Sequence, residues 1–153
     1  MERATTDMSA RFDKLAGESL KKPLLQLFTE SGPLDGRVFM ITNHPNAVQI
    51  GPIFAKNVGT KRTDTLGVRL YSSADIKPLS SQFWEPIASN DSNYKFSWYQ
   101  SGRIISIDAT ETWTLENSFG FVLSSMATNI SFKIAVFYGV ENPTEAEFSV
   151  QFK

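Results

Sequence analysis

The sequence contains no cysteine and only one histidine, His44, among 153 residues. Without thiols there is no disulfide framework, no thiolate metal site and no cysteine nucleophile. A single imidazole excludes a histidine-pair metal centre, so neither a metal nor a cofactor is expected. Excess charge is missing as well: 15 Lys and Arg stand against 16 Asp and Glu, for a net charge of -1. No strong global field therefore draws the chain onto nucleic acid or an anionic membrane. Long apolar runs are also absent. The longest cover residues 119–123 and 134–140, against about 20 residues for a membrane helix. The opening MERATTDMSARFDKLAGES is charged throughout and lacks the apolar stretch of a secretory signal. The expectation is a soluble protein.

What is present is core material. Hydrophobic residues make up 41% of the chain, with 12 Phe, 4 Tyr and 3 Trp. That suits one domain with a substantial apolar interior. The patterning divides near Ser31-Gly32-Pro33. Before it, Met8, Phe12, Leu15 and Leu20 recur at helical spacing, and Pro23 interrupts the run. Leu24, Leu25, Leu27 and Phe28 then read as a further apolar helical turn, stopped by Gly32-Pro33. Residues 1–33 are thus expected to form an amphipathic helical arm.

Beyond this point the period becomes two. In the last segment Ala146, Phe148, Val150 and Phe152 face one way, with Glu145, Glu147, Ser149 and Gln151 facing the other. Ile130, Phe132, Ile134, Val136 and Tyr138 alternate likewise. Further short strands are expected over 37–42, 47–50, 53–56, 66–72, 94–99, 103–108, 110–115 and 119–124. Turn chemistry separates them at Asn43-His44-Pro45-Asn46, Gly51-Pro52, Ser101-Gly102, Glu116-Asn117-Ser118 and Glu141-Asn142-Pro143. Many short strands at this spacing predict a mainly β domain over 34–153, an antiparallel β-sandwich.

Catalytic signals are sparse. His44 sits in turn chemistry, and no Gly-x-Ser-x-Gly elbow supplies a nucleophile to go with it. Asp108 and Glu111 flank an expected strand junction and are the best pair for acid/base hydrolysis. Gly59-Thr60-Lys61 lacks the earlier glycine and the following helix of a phosphate loop. No catalytic residue is assigned. Lys56, Lys61, Arg62 and Arg69 form the one basic stretch, a candidate phosphate or nucleic-acid patch. Phe96, Trp98 and Trp113 alternate as core residues do. Trp84 and Tyr99 fall outside that register and are the candidates for exposed stacking on a sugar ring.

The segment ISFKIAVFYGVENPTEAEFSVQFK, residues 130–153, pairs two strands across a proline-containing loop and closes the β region. In this layout it resembles the final strands of small viral single jelly-roll coat proteins. The resemblance implies a jelly-roll-like sandwich and a coat or other virion component. Such coats commonly carry a strongly basic N-terminal arm, and residues 1–22 mix both signs, so packaging of nucleic acid by a tail is not implied. Independently, the stripe of Met8, Phe12, Leu15, Leu20, Leu24, Leu25, Leu27 and Phe28 needs burial, in its own sandwich or on another copy. The leading expectation is a non-enzymatic, self-assembling structural protein. A carbohydrate-binding sandwich using Trp84 or Tyr99 is the alternative, and a hydrolase using Asp108 and Glu111 comes third.

Overall fold

A computed structural model describes residues 22–42, 46–79, 82–101, 103–124 and 128–153. Eleven strands run through these residues: β1 (Leu25–Thr29), β2 (Gly32–Pro33), β3 (Val38–Ile41), β4 (Ala47–Asn57), β5 (Gly67–Ser72) and β6 (Ile76–Pro78), followed by β7 (Glu85–Ile87), β8 (Phe96–Ser101), β9 (Thr112–Leu123), β10 (Asn129–Phe137) and β11 (Thr144–Phe152). They form a five-stranded sheet, β2-β1-β4-β9-β6, and a six-stranded sheet, β3-β11-β10-β5-β8-β7. All pairings are antiparallel except β3 with β11.

The two sheets face each other across an aromatic core. Phe119 and Phe121 enter from β9, Phe132 from β10 and Phe148 from β11, each at most 4% exposed. Phe132 stacks on Phe148 at 5.2 Å between ring centres and meets Phe121 at 5.1 Å. Such offset and edge contacts add to the burial of large apolar surfaces, the dominant stabilising term of a sandwich. The mainly β sandwich is therefore as expected.

Several expectations need correcting. No helix occurs among the described residues, and Leu25, Leu27 and Phe28 belong to strand β1 rather than to a helical arm, with Leu24 just before it. Leu25 and Leu27 bury on one face while Gln26 points out, and β1 pairs with β4 from Leu25↔Asn57 to Phe28↔Phe54. Apolar residues at i, i+1, i+3 and i+4 fit either period, and an available strand edge decided between them. Met8, Phe12, Leu15, Leu20 and His44 lie outside the described residues.

The second correction concerns strand order. A jelly roll places its last two strands in opposite sheets, whereas β10 and β11 are partners in one sheet here and β11 takes β3 as a parallel neighbour. The run β1-β4-β9-β6 opposite β11-β10-β5 instead follows an immunoglobulin-like plan.

Third, two expected turns lie inside strands. Gly51-Pro52 falls within β4 and Glu116-Asn117-Ser118 within β9, and the two stretches face each other, with Gly51↔Phe119 and Ile53↔Glu116. The register shifts there, and Gly51 adopts φ 101°. A bulge absorbs the proline that lacks an N–H and lets both strands continue. Residues 103–108, expected as a strand, form an irregular connection that buries Ile104 and Ile107.

One feature of the chain path positions the site. After β5 the chain crosses to the five-stranded sheet for β6, returns to the six-stranded sheet for β7, and only then adds β8 beside β5. Two three-residue edge strands are thereby set on the same border of the sandwich.

Candidate functional site

Between those edge strands lies a cleft of about 500 Å³, within the range of small-molecule sites. Ile76 and Pro78 of β6, Pro86 of β7, Phe96 and Trp98 of β8 and the intervening Trp84 supply its apolar lining. Both edge strands are short and carry a proline. The Leu79 N–H donates to the Gly120 carbonyl of β9, so by alternation the nitrogen of Pro78 faces away from β9, toward the free edge. A proline there withholds the donor that an added strand would need. The border is closed to strand addition but open to a compact ligand.

Charge stands only at the lip. Asp75 and Lys77 come from the β6 side and Lys95 from the approach to β8, all exposed. None of the three side chains has a hydrogen bond or ion pair among the described residues. Deeper in, Ser97 Oγ donates to the Ile87 carbonyl at 3.0 Å, and Ser89 Oγ lies 3.1 Å from the Asp91 carbonyl. The serines of the wall are thus already engaged.

The outer wall is the 88–95 segment, folded back over the six-stranded sheet. Arg69 Nη2 donates to the Ala88 carbonyl at 2.6 Å, and the Tyr71 hydroxyl donates to Asn90 Oδ1 at 2.7 Å. Lys133 Nζ lies 2.6 Å from Asp91 Oδ2 and 4.4 Å from the centre of the Tyr71 ring. Tyr94 packs on Tyr71, 5.8 Å between centres. The hydrogen bond from Lys133, aided by the Asn93 N–H, holds the Asp91 carboxyl below its ordinary pKa. Burial pulls the Lys133 ammonium down, yet its hydrogen bond to Asp91 and the charges of Glu145 and Asp91 outweigh this and raise it. Burial, then the Glu147 charge, raises Tyr94. The cluster is a clasp that fixes one wall of the cleft.

The candidate residues from the sequence scatter. Trp84 is not an exposed stacking residue. It is 5% exposed and presents little ring surface to the cleft. Tyr99 is half-buried on the outer face of the six-stranded sheet, paired with Arg69 and Glu85, and is not part of the cleft. Trp113 follows the core alternation but sits near the end of β9, where 41% of it is exposed.

The basic stretch divides between the two sheets. Lys56 alternates with buried Ala55 on β4, whereas Arg69 alternates with Val68 and Leu70 on β5, so the two project from opposite outer faces. Arg62 is committed to Asp108 at 2.7 Å. Asp108 and Glu111 do meet, but within one exposed turn where the Glu111 carboxylate accepts the Asp108 N–H. Neither lines the cleft between β6 and β7.

A second polar cluster escaped the sequence. Glu116, 6% exposed, pairs with Arg103 Nη1 at 3.3 Å, and the same nitrogen reaches Gln100 Oε1 at 3.2 Å. The Arg103 guanidinium lies 4.3 Å from the ring centre of Phe83. These groups satisfy one another. Among the described residues no group of three or more His, Cys, Asp or Glu could hold a metal ion, and no helix is long and apolar enough to cross a membrane.

No protein-family model and no curated protein matches the chain. Solved structures do align with it. The CARDB domain of the PF1109 protein from Pyrococcus furiosus, in complex with di-metal ions, is 14% identical, with 88% of this chain and 91% of that one covered and a TM-score of 0.48. The third cohesin ScaC from Acetivibrio cellulolyticus, in complex with the ScaB dockerin, is 15% identical over 84% and 99%, at 0.38. A Nocardia farcinica protein with an immunoglobulin-like fold is 12% identical over 74% and 97%, also at 0.38. At these scores the likenesses assign neither family nor activity.

Proposed function

We propose that this protein is a non-catalytic β-sandwich binding module whose ligand seats in the β6–β7 cleft. The observation that carries this reading is the cleft itself: an apolar interior on a sandwich border, with unpaired charges confined to its lip. Ligand sites commonly combine a concave apolar lining with a few placed polar groups. Of the polar groups in the lining, Asp75 is the one carboxylate, and the Ser89 and Ser97 hydroxyls are engaged with backbone carbonyls.

Other readings draw less support. Self-assembly through an apolar arm loses Leu25 and Leu27, which are spent in the protein's own core. The strand order lends nothing to a coat-protein assignment. Sugar stacking needs an exposed ring face, and Trp84 does not offer one. A nucleic-acid patch needs its cations on one surface, and Lys56 and Arg69 are on two.

The test is a small-molecule fragment screen read by amide chemical shifts. Perturbations grouped on residues 75–78, 84–89 and 95–98 are expected. Hits that group elsewhere, or none at all, would contradict the assignment.

A further inference from the structure

The lip of the cleft carries two ammonium groups and one carboxylate, none of them paired within the described protein. Lys77 shares the β6 side with Asp75, so that side is locally balanced. Lys95 stands on the opposite wall without a counter-charge in the lining. Below the lip, the serine hydroxyls are engaged and the surface is Ile76, Pro78, Pro86, Trp84 and Trp98. An apolar body fits that interior without stranding a polar group. A net positive lip favours one negative charge at its end.

From this we propose, building on the binding-module reading, that the cleft selects a small amphipathic anion. Its flat apolar part lies between the two sheet edges, and its acidic group rests at Lys95 with Lys77 across the mouth. The prolines on both edge strands keep out the main alternative, an extended peptide adding as a strand. A cationic ligand would meet the unbalanced Lys95, and a neutral one would gain nothing from its charge.

Two fluorescent probes of similar shape separate the parts of this proposal: anilinonaphthalene sulfonate, an anion, and phenylnaphthylamine, its neutral counterpart. The anion should bind about fivefold more tightly at low salt, the upper range for an exposed charge contact. The preference should shrink as salt is added. In Lys77→Ala/Lys95→Ala it should disappear. Ala88→Trp, which fills the cleft from an exposed lining position, should weaken both probes, with far-ultraviolet dichroism and an unchanged melting temperature confirming the intact fold.

Equal binding of the two probes, both weakened by Ala88→Trp, would overturn the anion selectivity and leave the binding module standing. Binding of either probe that is indifferent to Ala88→Trp, or no binding by either, would overturn both.

Discussion

Along the border where β1 lies over β11, side-chain hydrogen bonds tie the two sheets together; along the border of β6 and β7, none do among the described residues. On the tied side, the Leu25 N–H donates to the Tyr138 hydroxyl at 3.3 Å, and Thr144 Oγ1 donates to the Leu25 carbonyl at 3.0 Å. Tyr138 and Thr144 are themselves 2.9 Å apart. Asn57, fully buried, finishes the same side. Its Oδ1 accepts from Leu24 and Gly59, and its Nδ2 donates to the carbonyls of Lys61 and Ile107. The untied side ends both sheets in short proline-bearing strands and leaves an apolar cleft. One border is spent on stability, while the other keeps its apolar surface and lip charges free for a ligand.

The sharpest way to break this contrast is Asn57→Ala. It strands buried donors and acceptors from four partners, and a loss of about 3 kcal/mol is expected in urea unfolding. Next comes Tyr138→Phe, which keeps the ring but removes the bridging hydroxyl. About 1–2 kcal/mol should be lost, with probe affinity at the cleft unchanged. A fall in that affinity would mean the two borders are coupled.

Lys133→Met tests the clasp behind the cleft wall and should cost less than either. Its signature is in the pH profile. Because Asp91 is held below its ordinary pKa, its contribution is present above the usual carboxylate range and fades as pH falls through the lowered value. Because Lys133 is raised, its contribution is present below the ordinary lysine value and is lost as pH rises through the raised one. The melting temperature of the natural protein should therefore drop at both extremes, and the variant should show flatter shoulders. Identical profiles would remove the ion pair from the account. Smallest of all, Lys77→Ala/Lys95→Ala should shift stability by less than about 0.5 kcal/mol, since neither side chain has a partner to lose.

Much of the six-stranded sheet was legible because its strands alternate cleanly. β10 and β11 bury every second residue as read from the sequence, and β3 and β5 fall within their expected spans. The five-stranded sheet was harder. The apolar spacing of β1 serves helix and strand equally. The turn signals in β4 and β9 cancel only because the Gly51-Pro52 and Glu116-Asn117-Ser118 stretches face each other across a bulge, a pairing that no local window contains. The cleft was invisible for a related reason. β6 and β7 have three residues each, too few to show a period, and their juxtaposition follows from the chain crossing sheets twice. Trp84, expected from the alternation to be off-register and exposed, is buried instead. Its burial depends on neighbours far away in sequence.

The three tryptophans allow the most direct test of the cleft as the binding site. Trp84 and Trp98 line it, and Trp113, near the end of β9, does not. Indole N–H resonances should be followed by NMR while phenylnaphthylamine is titrated in, so that charge selectivity plays no part. Movement of the Trp84 and Trp98 signals with a stationary Trp113 is predicted. A shifting Trp113 beside unchanged Trp84 and Trp98 would contradict the account.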